Sequence, residues 1–201
     1  SLVVLGEVEL DLSGQTLSVG AQLALETTEA LGTDTLLIAK IERVLGVAKL
    51  VVVSLGSLQA GRVVTVSYPG LAGIVTGGRY VFYRLTAAMG FVGGTTTAAS
   101  GGGAVRAVGT SSTLPFVGLS AADGAYLLPA LTGTNRVEAT VPGTSLTASV
   151  PGVEVVTGQT TPLNLALEGT VTNAVVRPQN GLTGVSPTVQ IEIEAETALL
   201  P

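Results

Sequence analysis

The chain opens with strict alternation of acidic and apolar positions. In "EVELDL", residues 7 to 12, Glu7, Glu9 and Asp11 fall on one face and Val8, Leu10 and Leu12 on the other, which predicts a half-buried strand. "SGQ" then reads as a turn, and "TLSVGAQLALE" continues as a second strand. Between residues 35 and 55 the apolar positions also satisfy helical spacing. The arms "LLIAKIERV" and "AKLVVVSL" are broken near Leu45, Gly46 and Val47, and the second is rich in β-branched residues, so a β-hairpin is the preferred reading.

"GRVVTVSYPG" predicts a strand ended by Pro69 and Gly70. "GGRYVFYRL" predicts a core strand with Tyr80, Phe82 and Leu85 on one face and Val81 and Tyr83 on the other. Beyond Gly90 short alternating runs are punctuated by "DG", "TG" and "PG" every eight to twelve residues, the spacing of an antiparallel sandwich. The chain ends on "SPTVQIEIEAE", where Val189, Ile191 and Ile193 alternate with Glu192, Glu194 and Glu196.

Composition sharpens this pattern into a class. Of 201 residues 46% are hydrophobic and 11% charged, with a mean hydropathy of +0.60; the usual charged fraction is about 25%. The most apolar window, residues 35 to 55, carries Lys40, Glu42, Arg43 and Lys49, and each charge near a helix centre costs roughly 2.5 to 3.5 kcal/mol on insertion scales. No membrane-spanning helix is expected, and the apolar weight belongs to strands or to contacts with neighbouring molecules. Aromatics are 3% of the chain, Trp is absent and Gly numbers 27, so Val, Leu, Ile and Thr build the core. The expected class is all-β, as tandem antiparallel Ig-like or transthyretin-like β-sandwiches.

Two segments carry family resemblances. The run Asp123-Gly124-Ala125-Tyr126-Leu127-Leu128, followed by Leu131, Gly133, Val137, Ala139, Pro142-Gly143, Val153, Val155, Gly158 and "LNLAL", resembles a carboxypeptidase regulatory-like domain over roughly residues 89 to 168. That resemblance implies a transthyretin-like sandwich of about seven strands, with "GAVRAV" as an early strand. Asn135 departs from the pattern, which usually has an aromatic residue there, so the strand around it is expected to pack differently. "RPQNGLTGVSPTVQIEIEAE" is similar to the opening of a bacterial Ig-like domain. The resulting organisation is an N-terminal β-sandwich over 1–87, the regulatory-like sandwich over 88–168, and a linker with a terminal strand over 169–201.

Function classes are narrowed mainly by what the sequence lacks. Without His or Cys, Ser-His-Asp, Cys-His and thiolate-metal chemistry have no residues to run on. Neither Lys40 nor Lys49 stands in a Ser-x-x-Lys arrangement, and the glycine runs 93–94 and 101–103 match neither the phosphate-loop nor the dinucleotide pattern, so both read as turns. Two acidic trios could in principle supply paired carboxylates or bind a cation. Each is spaced about 7 Å apart on one face of a strand, which is how a solvent face looks. Asp123 in "SAADG" reads as a turn cap.

The net charge is −5 with scattered basic residues, against a nucleic-acid groove. No Asn-x-Ser/Thr acceptor occurs; "GGTTTAAS" and "VGTSST" read as polar loops that could carry O-linked sugar. The chain begins at Ser1, and its first residues lack the basic and apolar pattern of a signal sequence. Either a removed leader or a piece of a longer secreted polypeptide is expected.

An apolar strand face left in water is an association hazard. The strands holding Val8, Leu10 and Leu12 and Val189, Ile191 and Ile193 are therefore candidates for pairing within the chain or between copies. Direct pairing of the two acidic strands would oppose like charges, so each is expected beside a less charged neighbour. The leading expectation is a non-enzymatic extracellular or cell-surface structural protein, self-associating into a homopolymer, with no cofactor and no nucleic-acid partner. The alternative is a glycan- or protein-binding accessory module of a secreted hydrolase or adhesin, which would display tyrosines among Tyr68, Tyr80, Tyr83 and Tyr126.

Overall fold

A computed structural model of the chain describes residues 1–44, 46–97, 104–109, 114–141, 144–179 and 190–199, with the backbone alone for 104–109, 170–179 and 190–199. The described residues form strands and turns without a helix. The protein is all-β and its sheets are predominantly antiparallel.

Its largest sheet runs in the order β1 (Leu2–Leu10), β8 (Gly78–Leu85), β4 (Thr35–Val44), β5 (Val47–Gln59), β11 (Phe116–Leu119), β10 (Ala104–Gly109), β13 (Gly133–Thr140) and β14 (Thr147–Val155). β6 (Arg62–Val66) branches from β5, and β3 (Ala24–Glu26) pairs with β6. A second sheet has the order β12 (Ala125–Leu131), β9 (Met89–Thr95), β15 (Thr160–Pro162). Two smaller sheets pair β2 (Thr16–Ala21) with β7 (Ile74–Thr76), and β16 (Thr170–Gln179) with β17 (Gln190–Leu199).

The stretch 35 to 55 is the expected hairpin, with Val44 opposite Val47. The second strand expected over 16 to 26 divides into β2 and β3, which pair with different partners. The next hairpin, β5 to β6, turns on Ala60 and Gly61, both at positive φ (48° and 78°). That is the mirror-image turn whose twist matches paired strands, here with alanine in a position glycine or asparagine normally fills.

Both faces of the central strands β4, β5 and β8 are apolar, and the fold covers both. Leu36, Ile38, Val53, Tyr80 and Phe82 form one core, against which Leu5, Val8, Leu10 and Leu25 pack. On the opposite face Leu37, Ala39, Val52, Val81, Tyr83 and Leu85 join Met89, Phe91 and Phe116 in a second core. Leu85 thus lies with Val81 and Tyr83 and not with Tyr80 and Phe82 as expected, because a period of two puts odd positions together. Tyr83 and Phe116 meet edge to face at 5.3 Å, and Tyr68 stacks on Phe91 at 4.7 Å.

The second core lies across the boundary expected at 87/88. β11 also crosses it, pairing in parallel with β5 through Phe116–Leu50 and Val117–Val51. The two halves therefore share a core, for which the doubly apolar centre of the large sheet is the physical reason. A third core sits between β9 and β12 on one side and β13 and β14 on the other, with Val92, Tyr126, Leu128, Val137, Val153 and Leu165 at its centre.

Gly93 and Gly94, expected in a turn, are strand residues of β9 opposite Leu127 and Tyr126. The reason is close approach: a Cβ on Gly94 would stand 2.0 Å from the Leu163 carbonyl oxygen, and one on Gly90 2.2 Å from that of Val156. The other glycine run, 101–103, lies outside the described residues.

Candidate interaction surface

The acidic strand at the start of the chain is β1, an end strand of the large sheet. Glu7, Glu9 and Asp11 are exposed, while Val8, Leu10 and Leu12 are half-buried; Val8 and Leu10 pack on the first core. β8 supplies the less charged neighbour: Arg79 stands opposite Glu9 and ion-pairs with Glu7. Asp11 is used locally, its Oδ1 accepting from the Ser13 amide at 2.7 Å, where Ser13 and Gly14 turn at positive φ. The first acidic trio is thus a solvent face with two members held by arginine and by a turn.

Ile191 and Ile193 belong to β17, opposite Pro178 and Val176 of β16; Val189 lies outside the described residues. Glu192, Glu194 and Glu196 stand opposite Arg177, Val175 and Asn173, so this acidic strand also sits beside a less charged one. The two acidic strands are not brought together. β16 and β17 form a sheet of two strands, each with one edge that no described strand occupies.

Edges differ across the molecule. The outer edge of β14 is blunted: Thr147 and Glu168 exchange both backbone hydrogen bonds at 2.9 Å, Thr161 donates to the Glu154 carbonyl at 2.8 Å, and Pro151 and Gly152 break the strand's regularity. The outer edge of β1 has no described strand along it. A bulge between Val4 and Gly6 bends it, and Val4 is 53% exposed.

The tyrosines proposed as a glycan platform are packing residues. Tyr80, Tyr83 and Tyr126 are buried, and Tyr68 is half-buried in its stack on Phe91. The Tyr126 hydroxyl donates to the Leu163 carbonyl at 2.7 Å, and burial pushes its pKa up to about 12. Tyr83 is also raised above its ordinary value, first by burial and then by the Glu7 carboxylate. A cleft of about 510 Å³ is bounded by β5, residues 70–72, the end of β11 and β12, and is lined by Val51, Val52, Leu71, Leu119, Tyr126 and Leu127 among others. Its walls are mostly apolar.

One polar cluster escaped the sequence reading. Lys40 is 9% exposed, with Nζ 2.7 Å from Thr76 Oγ1 and 2.6 Å from Glu42 Oε1. Its aliphatic stem fills the space above Gly78, where a Cβ would come within 2.9 Å of Cε. An ammonium held by a carboxylate cannot take the threonine's proton, so the cluster ties β4 to β7. The sequence offered one clue, a lysine inside the apolar run "LLIAKI". Asp123 does what its turn position predicts, accepting from the Ala125 amide at 3.0 Å beside Gly124 at φ 82°. Among the described residues no three or more metal-ligating side chains converge, and no helix is long and apolar enough to cross a membrane.

No family model matches the chain, and no curated protein matches it. Among solved structures it is similar to a DUF3823 family protein from Parabacteroides merdae, at 14% identity over 54% of this chain and 59% of that one, with a TM-score of 0.28. It is also similar to the Bacillus anthracis TIE protein, at 11% identity over 99% of this chain and 50% of that one, with a TM-score of 0.29. The chain thus spans 59% of the first and 50% of the second, and at these scores neither likeness bears on function.

Proposed function

We propose that this chain is a non-enzymatic structural protein of an extracellular or cell-surface assembly, a subunit of a filament or layer whose β-sandwich modules join by strand pairing between copies. The observation that carries the reading is the terminal sheet that, among the described residues, has two strands, β16 and β17, with an unoccupied edge on each side. A two-stranded hairpin is marginal in water by itself, and its unpaired amides and carbonyls are a template for another strand. Pairing in trans satisfies both requirements at once.

The resemblance of residues 89–168 to a carboxypeptidase regulatory-like domain supports the reading, as does the resemblance of the stretch from Arg177 to Glu196 to the opening of a bacterial Ig-like domain. Both are modular sandwich families. Sedimentation velocity and negative-stain microscopy of the purified chain, with and without residues 169–201, test the proposal. Concentration-dependent assemblies that vanish on truncation are expected, with far-UV circular dichroism to verify that the shortened chain is folded. Dispersed monomers of the full chain at every concentration would refute it.

The competing reading, a glycan- or protein-binding accessory module, has the apolar cleft bounded by β5, residues 70–72 and β12 as its support. The buried tyrosines leave it without an aromatic platform. A glycan array with reproducible hits would favour it.

A further inference from the structure

We infer that the surface receiving the terminal hairpin is the outer edge of β1 in a second copy of this chain, and that β16, rather than β17, lies along it. The inference rests on the assembly reading above and names the two edges that meet.

β1 is the receiving edge because the other edges are closed or unsuited. β14 is capped by residues 161 and 168. β12 carries Pro129 in its interior, β15 has three residues and Pro162, β3 and β7 have three residues each, and β2 is an irregular strand with only Thr16 and Ala21 in register with β7; a mid-strand proline breaks a ladder, and short or irregular edges recruit poorly. β1 has nine residues, no proline and no described strand on its outer side. β16 spans Thr170–Gln179, and its Pro178 stands one residue from the end, so the proline-free run Thr170–Arg177 is what lies along β1, a match of about 26 to 30 Å for a rise near 3.3 Å per residue.

Charge selects which strand of the hairpin docks. β1 presents exposed Glu7 and Glu9, and Arg79 already engages Glu7. Laying β17 alongside would add Glu192, Glu194 and Glu196 to the same ladder, and like charges across a ladder destabilise it. β16 contains no acidic residue and brings Arg177. With β16 docked, the glutamates of β17 mark the new outer edge, the kind of charged edge that resists further pairing. Every copy carries one β1 edge and one β16 edge, so the contact is head-to-tail and propagates into an open fibre unless its rotation closes a ring.

The chain has no cysteine, so engineered thiols report the pairing cleanly. Full-length Val4→Cys is mixed with full-length chains carrying one cysteine in β16, at Thr172, Ala174, Val175 or Val176 in turn, or at Ala195 in β17, and oxidised. Disulfide-linked dimers with at least one β16 position and none with Ala195→Cys are expected. In parallel, Arg177→Glu should weaken self-association roughly three- to tenfold at low salt, and adding Glu9→Lys should recover it. If wild-type chains associate but cross-link through β17, or ignore both charge changes, the β1–β16 pairing is wrong while the assembly reading stands. A Val4→Cys, Val175→Cys double variant that yields only an internally linked monomer shows the hairpin folding back on its own β1, which also overturns the inference. Wild-type chains monomeric at every concentration overturn both.

Discussion

Gly94 is the position where one methyl group should do the most damage. Its backbone is ordinary strand, so the obstacle to alanine is purely steric: the new Cβ would stand 2.0 Å from the Leu163 carbonyl oxygen, 2.6 Å from its carbon and 2.9 Å from Asn164 Oδ1. The first two are backbone atoms, and relief requires the segment after β15 to retreat by more than 1 Å. That segment is held by Leu163 N donating to Gly93 O and Leu165 N to Thr95 O, both at 2.8 Å, and by the Thr95 amide donating to Asn164 Oδ1 at 3.0 Å. It also places Leu165, fully buried, in the third core.

Weakening three hydrogen bonds at about 1 kcal/mol each, and partly uncovering a leucine whose burial contributes about 1.5 to 3 kcal/mol, predicts a loss of roughly 3 to 5 kcal/mol for Gly94→Ala. That is a large share of a typical stability of about 5 to 15 kcal/mol. Gly14→Ala is the matched control: Gly14 has φ 78° and nothing within 4 Å of an added Cβ, so it should lose only the roughly 1 to 2 kcal/mol of a left-handed alanine. Urea denaturation followed by circular dichroism measures both. A Gly94→Ala chain within 1 kcal/mol of wild type, or no worse than Gly14→Ala, would refute the close-approach account.

Three further outcomes are expected. Asn135, 4% exposed, donates from Nδ2 to Leu131 O at 2.9 Å and Gly133 O at 2.8 Å; Asn135→Leu removes both of these hydrogen bonds and should lose about 2 kcal/mol in the same assay. Ala60→Asn suits the positive φ of the β5–β6 turn and should add about 0.5 to 1 kcal/mol, seen as a higher melting temperature. Tyr126 should ionise at about 12 in an absorbance titration at 295 nm, and Tyr126→Phe should remove that step. Because its folded pKa lies above the ordinary 10.0, its contribution to stability is complete below about pH 10 and is lost as pH rises through 12.

Local order was legible where the alternation was strict. "EVELDL" reads as a strand with a wet acidic face, and β1 has that face; "AKLVVVSL" reads as a hairpin arm through its β-branched residues, and β5 is that arm. Asn135 departs from the pattern its segment resembles, and it is buried with its amide spent on two carbonyls. The candidate surface was half legible: the sequence marked both acidic strands and the need for less charged neighbours, but not which neighbours.

Period and residue type determine which face of a strand is apolar and where a turn falls, because both depend on a few adjacent residues. Only the tertiary structure decided that β1 pairs with β8 and has no described strand on its other side, that β16 and β17 pair with each other and with no other described strand, and that one core runs across the expected boundary at 87/88. It also turned Gly93 and Gly94 from turn residues into strand residues, since what fixes them is the backbone of Leu163, some seventy positions away. Strand partners and close approaches are set by contacts distant in sequence, and no local pattern of apolar and polar positions encodes them.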